Sequence, residues 1–281
     1  MHTMTAVSDV VTDTLVIEPS RGWRALDLRE LWKYRELLYI FAWRDLRVRY
    51  RQTLLGALWI GGQPLISMII FTLIFHRVAH FGAEVPYPLF VFSGLVIWNF
   101  VANSISKAGN SLIGSSPLIS KVYFPRLIIP LSNVASELVD FGVAGILLVA
   151  MMVHYRAHAT AMLLLFPVAI VVATLLAIGA GLWVAALNVE YRDVRVVIPF
   201  VLQIGMYVTP IVYPITAIPA RYRAVAALNP MTGIAQTFRA TLFGLPIPWA
   251  ALAWSAFVSL ALVVSGAYYF RRMERFFADI L

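Results

Sequence analysis

Two carboxylates lie inside one long apolar stretch of this chain. Glu137 and Asp140 fall within residues 127–153, which are otherwise mostly apolar. A carboxylate facing lipid costs about 3 kcal/mol, so both side chains should face a neighbouring helix or water. Such acids can relay protons in a proton-coupled carrier, or they can have a structural or pore-lining role. No Lys or Arg lies within the predicted spans to pair with them, and we expect the structural or pore-lining role.

A cluster of arginines precedes the first long apolar stretch: Arg44, Arg47, Arg49 and Arg51. A planar guanidinium group can hold two phosphate oxygens at once, so these side chains are candidates for binding the phosphates of a lipid headgroup. The alternative is that they anchor the chain to anionic membrane lipid. Both alternatives place the cluster at the cytosolic surface of a membrane.

Aromatic residues are frequent where the apolar stretches should meet water, and most of them fit the interfacial belt of membrane proteins. Trp98 and Phe100 lie instead near the middle of residues 85–106. An aromatic ring packs well on the apolar face of a sugar ring. These two residues, with Phe92 and Tyr87, are therefore candidates for lining a path for glycans.

The segment from Ser115 to Ser132 is short, basic and flanked by apolar stretches. Ser116 and Pro117 are residue types preferred where a helix begins, and Pro125 should end that helix after about two turns. A helix this small and exposed has little core of its own. Its side chains should therefore dock on a partner protein, although a loop lying against the bilayer is the alternative. The candidate docking residues are Leu118, Lys121, Val122, Tyr123, Phe124 and Arg126.

The chain carries no convincing nucleotide-binding motif. Residues 109–116, GNSLIGSS, have the glycine spacing of a P-loop, but Ser115 stands where the phosphate-binding lysine belongs, and an apolar stretch precedes them instead of a strand. Any ATP that drives this protein, with its Mg, must therefore be bound by another polypeptide. No catalytic constellation is recognisable, and we expect neither a metal site nor a cofactor in this chain.

The composition is that of an integral membrane protein. Of the 281 residues, 61% are hydrophobic and 13% are charged, whereas an ordinary soluble domain has about 25% charged residues. The formal net charge of +8 would suggest nucleic acid in a soluble protein. Basic residues at the cytosolic ends of membrane helices explain it better, and we expect no nucleic-acid partner.

We predict an all-α membrane protein with a single transmembrane domain at residues 54–281. Residues 1–26 form a loose cytosolic tail, and residues 27–53 form an amphipathic interface helix followed by the arginine cluster. Six predicted spans cover residues 54–75, 85–106, 127–153, 159–187, 196–214 and 249–270. Residues 224–238 are short for a span and long for a loop, which predicts re-entrant or interfacial helices before the last span.

The distribution of basic residues predicts the orientation in the membrane. Six spans place both termini on one side, together with most of the 22 Lys and Arg residues. The opposite side receives Arg77, Arg156, Arg221, Arg223 and Arg239. The positive-inside rule therefore predicts that both termini are cytosolic.

Several short motifs follow one another between about residue 28 and the carboxy terminus. They are Leu55-Gly56-x-Leu58-Trp59 with Pro64-Leu65, Lys121-Val122-Tyr123-Phe124-Pro125-Arg126, Asn188-x-x-Tyr191-Arg192-Asp193, Pro210-Ile211-x-Tyr213-Pro214, Asn229-Pro230-Met231 and Phe270-Arg271-Arg272-x-Glu274. In order and spacing this set resembles the permease subunits of type-2 ABC exporters. The similar branch of that family exports O-antigen, capsule or teichoic acid.

The resemblance implies an export permease of the bacterial inner membrane that works as a homodimer with two copies of a separate ATPase subunit. It also implies that the segment between the second and third spans couples to the ATPase. The substrate it implies is a glycan carried on a polyisoprenyl diphosphate lipid. Two alternatives remain open: a drug or lipid exporter of the same superfamily, and a proton-coupled carrier using Glu137 and Asp140.

Overall fold

The computed structural model describes residues 32–51, 56–76, 85–119, 121, 124–157, 160–274 and 277. These residues are mostly helical and form no strand, which confirms the predicted all-α class. The α-helices among them are α1 Arg35–Arg51, α2 Gly56–Phe71, α3 Tyr87–Gly114, α4 Ser116–Ile119, α5 Ile128–His154, α6 Phe166–Glu190, α7 Val194–Val208, α8 Ala220–Leu228, α9 Pro230–Phe243 and α10 Trp249–Met273.

Among the described residues, four helices are long and apolar enough to cross a membrane. They are α3, α5, α10, and α6 with the 3-10 turn Ala161–Leu165 before it. Two shorter apolar helices, α2 and α7, overlap the predicted first and fifth spans. The 15 residues of α7 reach about 22 Å, less than the roughly 30 Å of a bilayer core. The predicted fifth span stops being helical at Val208 because a turn containing two prolines follows.

Two helices, α8 and α9, precede α10, and the chain is not helical at Asn229 between them. Asn229 caps α9, because its side-chain oxygen accepts a hydrogen bond from the Met231 N–H at 3.0 Å, and Pro230 occupies the first helical position. Gly244 ends α9 with a φ of 67°, a conformation that favours glycine. Two helices thus cover residues 220–243, a wider range than the predicted 224–238, with α9 largely buried and α8 largely exposed.

The centre of the fold is α6, which packs most extensively against α10 and α3. Gly179 and Gly266 allow α6 and α10 to approach closely, because a Cβ atom on Gly266 would lie 2.8 Å from the Gly179 carbonyl oxygen. On the same pair of helices, the rings of Trp183 and Tyr269 stack with centroids 4.6 Å apart. The helices α6 and α10 are therefore closely packed at the centre of the fold.

The arginine cluster belongs to the interface helix instead of following it, since α1 continues to Arg51. Phe41, Ala42 and Leu46 are buried, and α1 packs along α5. The predicted tail at residues 1–26 and the predicted helix start at Asp27 lie outside the described residues. One face of α1 is thus buried against the rest of the fold over the part that is described, and its place at the membrane interface stays a prediction.

The described part of the docking segment is helical for about one turn instead of two, because α4 has four residues and Lys121 lies in a turn. Phe124, predicted to be exposed for docking, is only 5% exposed. Its ring packs edge-on against Phe41 of α1, with centroids 5.7 Å apart. Phe124 thus gains apolar burial that an exposed helix could not provide. Val122 and Tyr123 lie outside the described residues.

Candidate functional site

A cavity of about 440 Å³ lies between α1, α2, α3 and α5. The interface helix and parts of the first three predicted spans therefore meet around one space. The residues that line it are Arg49, Ile60, Gln63, Pro64, Val96, Asn99, Phe100, Asn103, Lys107, Glu137, Asp140, Phe141 and Ala144. The two acids singled out from the sequence are among them.

A cluster of charged groups forms one end of this cavity. Arg49 donates to Glu137 Oε1 at 3.0 Å and also pairs with Asp140. Lys107 donates to Glu137, and its Nζ atom lies 4.0 Å from Asp140 Oδ2. Tyr50 completes the cluster by donating its hydroxyl to Asp140 Oδ1 at 2.7 Å. Two cations thus compensate two carboxylates that are almost fully buried.

The expectation that these acids have no basic partner is wrong. Lys107 reaches them because α3 continues to Gly114, beyond the predicted end of the second span at residue 106. Arg49 reaches them from α1, a helix that does not belong to the predicted spans. Removing either cation would leave a buried charge uncompensated, so the cluster holds α1, α3 and α5 together.

Tyr50 is held in its protonated form at neutral pH. Burial raises the pKa of the Tyr50 phenol above its ordinary value; the nearby Arg49 charge lowers this pKa, and the Glu137 charge raises it. The phenol is therefore a stable hydrogen-bond donor to Asp140. Its hydrogen bond to Asp140 therefore connects α1 and α5 in addition to the ion pairs made by Arg49.

The four arginines of the cluster, which all lie on α1, do not share one role. Arg49 points into the cavity, whereas Arg44 and Arg47 are exposed. Arg44 pairs with its neighbour Asp45 at 2.9 Å, and the Arg47 guanidinium lies 5.9 Å from the centre of the Trp43 ring. The side chain of Arg51 lies outside the described residues. Of the four arginines in the cluster, Arg44 and Arg47 are therefore the ones whose described side chains are exposed.

The structure separates the four aromatic candidates. Phe100 lines the cavity, and its ring centroid lies 5.3 Å from that of Phe141. Trp98 is buried against α7, where a Cβ atom on Gly205 would lie 3.0 Å from its ring. Phe92 is fully buried, and the Tyr87 hydroxyl donates to the Val212 carbonyl at 2.6 Å in the turn after α7. Of these four residues, only Phe100 lines the cavity that Glu137 and Asp140 also line.

The segment after α4 is tied to the end of α10. The Arg126 guanidinium donates to the Glu274 carbonyl at 2.6 Å, and the Arg126 N–H donates to the Glu274 carboxylate at 3.2 Å. Leu118 is half-buried and Lys121 is exposed. Of the described docking candidates, Lys121 is thus the one most available to a partner.

Several cavity residues were missed in the sequence. Asn99, Asn103 and Lys107 recur every four residues on an otherwise apolar helix, a spacing that places them on one face, and this signal is readable in advance. Gln63 and Tyr50 carried no comparable signal: Gln63 is a single polar residue in an apolar stretch, and Tyr50 stands between two arginines of the cluster.

Comparisons with known proteins show similarity to membrane transport proteins. A family model described as ABC-2 type transporter matches residues 36–243. The chain is 29% identical over 256 residues to the O-antigen export system permease protein RfbA of Myxococcus xanthus, covering 90% of this chain and 98% of that protein. An RfbA of Klebsiella pneumoniae is 27% identical, with 88% and 95% covered. The polysialic acid transport protein KpsM of Escherichia coli is 22% identical, with 82% and 91% covered.

Proposed function

We propose, because this chain belongs to the ABC-2 type transporter family, that it is the permease subunit of an ATP-driven polysaccharide exporter. Its substrate would be an O-antigen-like glycan on a polyisoprenyl diphosphate lipid, moved from the cytosolic to the outer side of the bacterial inner membrane. The observation that carries the proposal is the similarity to permeases of O-antigen and polysialic acid transport, which extends over most of the chain.

The energy would come from a partner. The absence of a convincing nucleotide-binding motif in the sequence supports a separate ATPase subunit that holds ATP and Mg. Two copies of that subunit would act on a homodimer of this permease. Lys121, exposed in the segment after α4, would contact the ATPase. Arg126 would pass its movement to α10 through the contacts with Glu274.

The membrane arrangement we propose has six crossings, with both termini in the cytosol. The apolar helices α2 and α7 would complete the crossings together with the π-helical turn Thr72–His76 and the turn after Val208. The pair α8 and α9 would be re-entrant from the outer side. Support comes from the clustering of Lys and Arg on one side of this arrangement.

The substrate would arrive at α1. Arg44 and Arg47 are exposed there, and a guanidinium group suits a diphosphate because it can hold two oxygens at once. The glycan would then pass between the two permease copies. Anionic membrane lipid would occupy the same arginines when no substrate is present.

The experiment is genetic complementation. Cells lacking their own copy of this permease should lose surface glycan and regain it when this chain is supplied with its ATPase. Supplying the chain with an ATPase variant that cannot hydrolyse ATP is the matched control and should restore none. Surface glycan that is unaffected by loss of the chain would contradict the proposal.

A further inference from the structure

The cavity contains polar side chains that the charged cluster does not use. Gln63 on α2 and Asn99 and Asn103 on α3 all line it, and none of the three makes a hydrogen bond with the described residues. Asn99 is half-buried, and the other two are exposed. Each amide offers both donors and acceptors, so these three groups are free to bind a ligand with several hydroxyls.

The charge in the cavity argues against a charged ligand. Arg49 and Lys107 are paired with Glu137 and Asp140, so cations and anions balance within the lining. A phosphate or a uronic acid would add a further negative charge beside two nearly buried carboxylates whose charge the two cations already balance, and like charges held this close disfavour one another. An uncharged ligand leaves every pair intact.

The remaining lining suits the apolar face of a ring. Phe100 and Phe141 lie together in the wall with their centroids 5.3 Å apart, beside Val96 and Ala144. A lipid chain would also contact these residues, but it would cover the three amides without giving them hydrogen bonds, which is unfavourable. The volume of about 440 Å³ falls within the range of about 300–1,000 Å³ that is usual for small-molecule sites.

We propose that this cavity binds one uncharged sugar residue of the transported glycan, with Gln63, Asn99 and Asn103 bonding its hydroxyls and Phe100 against its ring face. The inference rests on the proposed function and adds a sugar site inside each permease copy, separate from Arg44 and Arg47. The site would recognise neutral sugars and exclude charged ones.

The natural chain has no cysteine, so a single introduced thiol reports access to the cavity. Asn103→Cys leaves the other two amides in place. Gly114→Cys is the matched control on the same helix, because Gly114 is exposed and has open space for a Cβ atom. The permease–ATPase complex is placed in nanodiscs, since glucoside and maltoside detergents carry sugar headgroups, and its labelling by a maleimide is timed.

The probes are methyl glycosides of glucose, mannose, galactose and N-acetylglucosamine, with methyl glucuronide and glucose 1-phosphate as charged counterparts. At twice the dissociation constant, a bound neutral glycoside should slow labelling of Asn103→Cys by about threefold and leave Gly114→Cys unchanged. Protection by none of the neutral glycosides, or equal protection by the charged probes, would overturn the inference.

Export in cells separates this inference from the proposed function. Asn103→Leu keeps the size of the side chain but removes its hydrogen bonding, and should lower surface glycan while the permease still co-purifies with its ATPase. Asn133→Leu on α5 is the matched control, because Asn133 bonds its own helix through the Ile129 carbonyl. If the natural chain supports export and Asn103→Leu exports as much as Asn133→Leu, the sugar site is wrong and the exporter stands. If the natural chain supports no export, the proposed function itself fails.

Discussion

Arg49 and Glu137 are 88 residues apart in the sequence, and their side chains meet at 3.0 Å between α1 and α5. Glu137 is 2% exposed and also pairs with Lys107 of α3. The helix α1 is therefore joined by ion pairs to two long apolar helices, α3 and α5. Any displacement of α1 during transport must either carry α3 and α5 with it or break these pairs.

Loss of Arg49 should destabilise the permease. Arg49→Met leaves the two carboxylates with one cation, and we expect the free energy of unfolding to fall by about 3 kcal/mol. Adding Glu137→Gln removes the excess negative charge and should recover part of that loss. The measurement is thermal unfolding of the purified permease. Arg44→Met, which removes an exposed arginine of the same helix, is the control, and an equal effect of both variants would show that the buried pair adds nothing.

The exposed arginines should govern the response to lipid diphosphate. In nanodiscs, glycan-linked polyisoprenyl diphosphate should stimulate ATP hydrolysis by the permease–ATPase complex. We expect Arg44→Gln with Arg47→Gln to raise the concentration for half-maximal stimulation about tenfold, as loss of charge-assisted hydrogen bonds implies. Arg221→Gln, at an exposed arginine of α8, should have no such effect. An unchanged half-maximal concentration would mean that Arg44 and Arg47 only anchor the helix to anionic lipid.

Substitutions of the docking candidates Phe124 and Lys121 should affect different properties of the permease. Phe124→Ala removes a nearly buried ring from its contact with Phe41 and should lower the free energy of unfolding by about 3 kcal/mol. Lys121→Glu changes an exposed residue and should leave stability unchanged while weakening association with the ATPase. Thermal unfolding and co-purification distinguish them. A stable Phe124→Ala variant that no longer binds the ATPase would instead support a docking role for Phe124.

The features that were predictable from the sequence are those decided by neighbouring residues. Long apolar runs predicted α3, α5, α6 and α10. The contacts of the cavity were not predictable in this way, because they depend on how each helix is rotated. Lys107 reaches Glu137 only because α3 extends past the apolar run.

The docking segment shows the same limit. Pro117 lies in the first turn of α4, but the helix ends at Ile119, well before Pro125, and the local pattern cannot tell whether Phe124 faces a partner or its own chain. In the structure Phe124 packs against Phe41, and that contact joins residues that lie far apart in the sequence.

The membrane orientation has a direct test. Reporters fused after Ile280 and inserted at Ser8 should be cytosolic, and one inserted beside Arg221 should be external, because most basic residues then lie on the cytosolic side. Activity of a periplasmic reporter such as alkaline phosphatase at each position is the measurement. An external carboxy terminus would show that residues 224–238 cross the membrane and that the six-span arrangement is wrong.

The central claim is tested most directly by transport in a reconstituted system. Proteoliposomes would hold the permease with its ATPase facing outward, and polyisoprenyl-diphosphate-linked glycan would be added to the outer leaflet. We expect ATP to protect the glycan from an external glycosidase as it moves into the lumen. An ATPase variant unable to hydrolyse ATP should give no protection. Protection that develops without ATP, or that follows an imposed proton gradient and is lost when Glu137 and Asp140 are neutralised, would contradict the account.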